Sequence, residues 1–93
     1  MNDDLVLQDP AETLDHSIDW SDFLATDTVA ASAWSVTPAG PTLSQESIGA
    51  AATSTACYLA GVALGQVYRL ANQITTAAGR IAERSLTVRG WSE

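Results

Sequence analysis

A chain of 93 residues with a single cysteine allows one small domain and excludes an internal disulfide. A net charge of −7 and the absence of any lysine exclude the broad basic surface that nucleic-acid binding requires. Much of the 46% hydrophobic content is alanine, so three Trp, two Tyr and one Phe must supply the bulk of a modest core.

Residues 1–11 read as an N-terminal arm, acidic at its start where a secretory leader needs positive charge. Its apolar patch, Leu5, Val6 and Leu7, suits either a short edge strand or a tail that orders on a partner. Pro10 stops any central strand here, because it has no N–H to give to a ladder.

Residues 14–20 alternate cleanly. Leu14, His16, Ile18 and Trp20 share one face, and Asp15, Ser17 and Asp19 share the other, as in a strand buried on one side. His16 is read as a strand histidine, since no nucleophile or ligand set accompanies it. Ser21 and Asp22 offer a cap for one helical turn, with Phe23 and Leu24 plugging one end of the core. A strand over 29–36 contains Trp34 and Val36. Its inward set shifts from Val29 and Ala31 to Trp34 and Val36, a change of phase that predicts a β-bulge. Residues 37–41 form a turn rich in Pro and Gly.

Strands follow over 43–49 and 54–59, the second containing Leu59, with a loop or strand edge at Ala50, Ala51 and Ala52 between them. Cys57 has no basic neighbour in sequence and reads as a small buried hydrophobe. The apolar run 48–64 is broken by Thr53, Ser54, Thr55 and internal glycine, so no membrane span is expected.

Residues 66–89 carry the strongest pattern. Tyr68, Leu70, Asn72 and Ile74 alternate with Val67, Arg69, Ala71 and Gln73, and Thr75 and Thr76 continue with β-branched residues. Ala77, Ala78 and Gly79 break the run, Gly79 supplying the positive φ of a tight connection. Leu86 and Val88 then return to one face. Tyr68, just after Gly65, fits either a tyrosine corner, whose hydroxyl bonds back to upstream backbone, or an ordinary half-buried strand tyrosine. Arg80 pairs with Glu83 or across the hairpin. Residues 91–93 form a short tail with an exposed aromatic, Trp91.

The sum is an all-β chain, a small immunoglobulin-like β-sandwich over 12–90, with a core drawn from Trp20, Trp34, Val36, Leu59, Tyr68, Leu70, Ile74, Leu86 and Val88. There is no Ser-His-Asp set with supporting motifs, no phosphate-cradling glycine loop and no metal spacing, so neither an enzyme nor a cofactor is expected.

Two segments together resemble a known family. Asp19-Trp20-Ser21-Asp22-Phe23-Leu24, with Asp27-Thr28-Val29 and Trp34-Ser35-Val36, forms the first. Tyr68, then Asn72-Gln73-Ile74-Thr75-Thr76-Ala77-Ala78-Gly79-Arg80 and Glu83-Arg84-Ser85, forms the second. The pair is similar to small immunoglobulin-like structural proteins of tailed bacteriophages and prophages, some of them fibre–tail adaptors. The alanine-rich stretch 46–65 departs from that pattern. The resemblance implies a virion protein, made in the host cytoplasm, that binds tail, neck or fibre proteins and neighbouring copies of itself in a ring. The alternative is a free-standing immunoglobulin-like module for a protein or carbohydrate ligand.

Nine of the eleven acids lie in residues 1–46 and all four arginines in residues 69–89. That split suggests a head-to-tail contact between copies. Arg80 and Arg84 would face Asp15, Asp19, Asp22 or Asp27 of a neighbour, with Leu5, Val6, Leu7 and Trp91 supplying apolar contact; the same two arginines equally suit a purely structural role in the hairpin.

Overall fold

The computed structural model describes residues 4–92; residues 1–3 of the arm and Glu93 of the tail lie outside the described residues. Seven strands and one helical turn follow in order: β1 (Asp4–Gln8), β2 (Thr13–Asp19), α1 (Ser21–Leu24), β3 (Val29–Thr37), β4 (Thr42–Ile48), β5 (Ser54–Ala60), β6 (Val67–Thr76) and β7 (Ile81–Gly90). They form a four-stranded sheet, β1-β7-β6-β3, and a three-stranded sheet, β2-β5-β4. The groupings 7-6-3 and 2-5-4 are those of an immunoglobulin-like sandwich. The first strand joins the larger sheet by pairing parallel with the last, so residues 4–8 of the arm are part of the sheet.

Side-chain alternation decides which residues enter the space between the sheets. In β2, His16 and Ile18 are buried while Asp15, Ser17 and Asp19 are exposed. In β6, Tyr68, Leu70, Asn72 and Ile74 are buried. Trp20, Leu59, Leu70, Ile74 and Val88 are wholly inaccessible, and Trp34, Tyr68 and Leu86 join them in the core with Val36 packed against its margin. Removing apolar surface of this kind from water, at about 25 cal/mol per Å², is the main force holding the sheets together.

The phase change in β3 is a bulge, placed earlier than the alternation suggests: the register slips between Val29 and Ala31, which leaves Ala31 exposed and turns Trp34 inward. The expected cap of the helical turn is different as well. Trp20 occupies the N-cap position with no side-chain capping bond, and the Asp19 carboxylate instead accepts the Ser21 N–H at 2.9 Å. The β4 strand is mostly exposed and irregular, with Gln45 at φ 50° and a register shift between Ser44 and Ser47. Its Glu46 carboxylate accepts the Trp34 backbone N–H at 3.2 Å, which covers part of the β3 edge.

A buried polar network around Asn72 links the two sheets. The Trp20 indole N–H donates to Thr55 Oγ1 (3.2 Å) and Asn72 Oδ1 (3.0 Å), and the Thr55 hydroxyl donates to Asn72 Oδ1 at 2.7 Å. Asn72 Nδ2 donates in turn to Ser32 Oγ at 2.8 Å and to the Ala33 carbonyl at 3.2 Å. Tyr68 stands at the start of β6, and its hydroxyl accepts the upstream Ala63 N–H at 2.9 Å, the tyrosine-corner arrangement. At the end of β7 the backbone comes so close to the 61–66 connection that a Cβ on Gly90 would run into the Ala63 carbonyl oxygen.

Candidate functional site

The two sequence segments that carry the family resemblance pack on each other. β6 ends at Thr76 and β7 begins at Ile81, with Gly79 at φ 89° in the connection. Thr76 Oγ1 accepts the Arg80 N–H at 3.0 Å and closes the turn. The turn then clasps the 19–28 segment. Arg80 pairs with Asp27 rather than with Glu83: its Nε and Nη2 both donate to Asp27 Oδ2 at 3.2 Å, and Nη2 reaches the Leu24 carbonyl at 3.3 Å. Asp27 Oδ1 accepts the Thr28 and Ala78 N–H groups at 2.8 and 3.2 Å. Hydrogen bonds from the Thr76 side chain and then from these neighbours hold the Asp27 carboxyl below the usual carboxylate range.

Arg84, four residues further along on β7, also pairs with an aspartate. Its Nη1 and Nη2 fork onto the two Asp22 oxygens at 2.9 and 3.1 Å, and Nη1 also donates to the Asp19 carbonyl at 3.2 Å. The Arg84 guanidinium lowers the Asp22 pKa, and the Ser21 N–H lowers that of Asp19. Both guanidinium groups lie on aromatic faces, Arg80 4.4 Å from the Phe23 centroid and Arg84 4.6 Å from that of Trp20. Arg80, Arg84, Asp22 and Asp27 are therefore engaged within one chain, at one end of the sandwich.

The remaining candidates lie elsewhere. Asp15 and Asp19 project from the outer face of the smaller sheet. Leu5 and Leu7 project from the outer face of the larger one, 64% and 50% exposed, while Val6 between them is half-buried. Register places Leu5, Thr87, Arg69 and Thr37 in one row of that face, and Leu7, Arg89 and Val67 in the next. Trp91 continues β7 beyond this second row, and its N–H donates to the Gln8 carbonyl at 2.9 Å. Leu7, Asp9, Ala11, Glu12 and Trp91 line an open groove of about 490 Å³. The neighbouring 61–66 connection exposes Leu64. Of the seven exposed large hydrophobic residues among those described, five (Leu5, Leu7, Leu64, Val67 and Trp91) thus gather at the end of the sandwich away from the arginine clasp.

Sequence reasoning missed Arg69, Arg89, Val67 and Leu64. The period-two pattern placed Arg69, Arg89 and Val67 on the outward face of the hairpin. Their proximity to Leu5 and Leu7 depends on the parallel β1–β7 pairing, which leaves no local signal.

Two residues with reactive side chains are structural. His16 Nε2 and Gln8 Oε1 are 2.9 Å apart. Because Gln8 Nε2 donates to the Leu59 and Glu12 carbonyls, its Oε1 accepts and the imidazole donates. Burial lowers the His16 pKa. Burial, reinforced by Glu46, pushes the Cys57 thiol up to about 12, far from a reactive thiolate. No cluster among the described residues could hold a metal ion, and no helix among them is long and apolar enough to cross a membrane.

Comparison with protein families matches residues 8–89 to the model described as podophage GP4 fiber-tail adaptor protein gp77. A comparison with curated proteins finds no match.

Proposed function

This chain belongs to the podophage fibre–tail adaptor family, a structural component of the phage tail, and we propose that it acts by protein–protein binding in a symmetric ring of copies. The ring joins the tail or neck to fibres or to neighbouring virion proteins. Residues 12–90 form the body together with β1 of the arm, and β1 and the tail bring Leu5, Leu7 and Trp91 to one end of it. The chain is made in the host cytoplasm and works in the assembled particle.

The observation that carries this reading is the gathering of exposed apolar side chains around the Leu7–Trp91 groove. Isolated exposed hydrophobes are ordinary, but a contiguous group with polar residues at its margin marks a surface that a partner covers. Burial of aromatic and aliphatic anchors supplies affinity, and nearby charges set orientation and on-rate. The test combines Leu7→Asp with Trp91→Ser and measures both incorporation of the chain into particles and fibre content. Circular dichroism checks that the fold is kept. Loss of incorporation or of fibres is expected; particles with normal content of both would sink the proposal.

A further inference from the structure

We infer that neighbouring copies meet head to tail, the outer face of the larger sheet in one copy docking on the acidic outer face of the smaller sheet in the next. The inference deepens the ring reading above and rests on it. It names the two surfaces and the residues that orient them.

The donor face holds the rows Leu5–Thr87–Arg69–Thr37 and Leu7–Arg89–Val67. Arg80 and Arg84 form the two ion pairs of the chain among the described residues, which leaves Arg69 and Arg89 without one. Each stands in a row that also holds an exposed leucine, so this corner of the face is apolar with a positive edge. An exposed guanidinium that stacks on nothing and pairs with nothing in its own chain is free to fork onto a carboxylate from outside.

The acceptor face is of the opposite kind. Its rows are Thr13–Ala60–Thr42, Asp15–Tyr58–Ser44, Ser17–Ala56–Ser47 and Asp19–Ser54. The charged residues in these rows are Asp15 and Asp19, both exposed. Most other side chains are small, so the face is low in relief and lets a neighbouring sheet approach. Asp19 is tied to the Ser21 N–H, whereas the Asp15 carboxylate makes no hydrogen bond or ion pair among the described residues. Asp15 is therefore the acceptor on which Arg69 or Arg89 of the adjoining copy settles.

One chain presents both complementary surfaces, and they lie on the outer sides of different sheets. Such a pair cannot satisfy itself within one molecule or in a two-fold dimer through a single patch. It makes a heterologous contact that repeats from copy to copy and closes when the rotation fits.

The chemistry of the chain supplies a direct test. It contains no lysine, so Arg89→Lys introduces a single side-chain amine. A zero-length carbodiimide applied to purified particles links an amine only to a carboxylate that it touches. The expected product is a ladder of chain multiples on a denaturing gel, with the amine at position 89 mapped by mass spectrometry to Asp15 of another copy. Adding Asp15→Asn should remove the ladder. A link to a different virion protein, or the chain present in the tail fraction with no link, would overturn the self-contact and leave the adaptor role standing. Absence of the wild-type chain from the tail fraction would instead bring down the adaptor reading itself.

Discussion

Arg84 lies over the face of Trp20, its guanidinium carbon 4.6 Å from the indole centroid, while both of its terminal nitrogens fork onto Asp22. Trp20 meets Phe23 edge to face at 5.8 Å, and Phe23 carries Arg80 in the same manner. Two arginines from one hairpin thus sandwich two aromatics from the segment after β2. This explains why the two halves of the sequence resemblance belong together: they are the two sides of one structural clasp.

The clasp should depend on the planar guanidinium more than on its charge. The Arg84 side chain is 14% exposed whereas Asp22 is 71% exposed. Arg84→Lys keeps the charge but loses the fork and the stacking, and should cost about 1–2 kcal/mol, the scale of a partly desolvated cation–π contact. Asp22→Asn should change the urea midpoint little, because exposed ion pairs contribute little. Equal effects of the two substitutions would show that charge pairing governs the clasp.

The buried polar network should behave as a unit. Asn72 is fully buried and bonds to Trp20, Thr55, Ser32 and Ala33. Asn72→Ala should cost about 1–3 kcal/mol for each buried partner left unpaired. In a double-mutant cycle with Thr55→Val the two losses should fail to add by about 0.5–3 kcal/mol, as expected of residues sharing one network. Strict additivity in urea unfolding would show independent contacts.

Trp34 separates packing from hydrogen bonding. It is 7% exposed, and its indole N–H has no hydrogen-bond partner among the described residues. Trp34→Ala should cost roughly 3–5 kcal/mol, the range for deleting a buried aromatic. Trp34→Phe keeps a ring and removes an unsatisfied donor, so its cost should be less than half of that. Equal losses in chemical denaturation would mean that the indole N–H matters after all.

Acid should destabilise the fold in two stages. The folded state lowers the His16 pKa below its ordinary 6.5, so the unfolded chain binds that proton first and stability falls as pH drops below about 6.5. Asp19, Asp22 and Asp27 are also lowered, from 3.8. Their contribution is present above that value and is lost as pH falls through their folded pKa values. Unfolding free energies at pH 8, 5.5 and 3 should decrease stepwise, and His16→Gln should flatten the first step alone. A flat profile between pH 8 and 5.5 in the wild type would refute the histidine stage.

Period-two alternation is a local property, and for that reason the sequence by itself determined much of the fold. It marked β2 and β6 with their buried faces, the slip of phase in β3 and the turn at Gly79, because each depends on residues a few positions apart. For Tyr68 the local order left two readings, a corner residue or an ordinary strand tyrosine, and the bond from the Ala63 N–H to its hydroxyl selects the corner. Long-range pairing left no such trace. Parallel pairing of β1 with β7 needs no adjacent turn, so nothing near Leu5 announces that it lies in one row with Thr87 and Arg69. The partner of Arg80 is not the nearby Glu83 but Asp27, 53 positions away, brought there by the antiparallel pairing of β3 with β6, which sets Thr28 beside Ala77. Only the tertiary structure could decide which arginines the chain itself occupies and which it leaves for a neighbour, because a charge pair depends on distance in space and not on spacing in sequence.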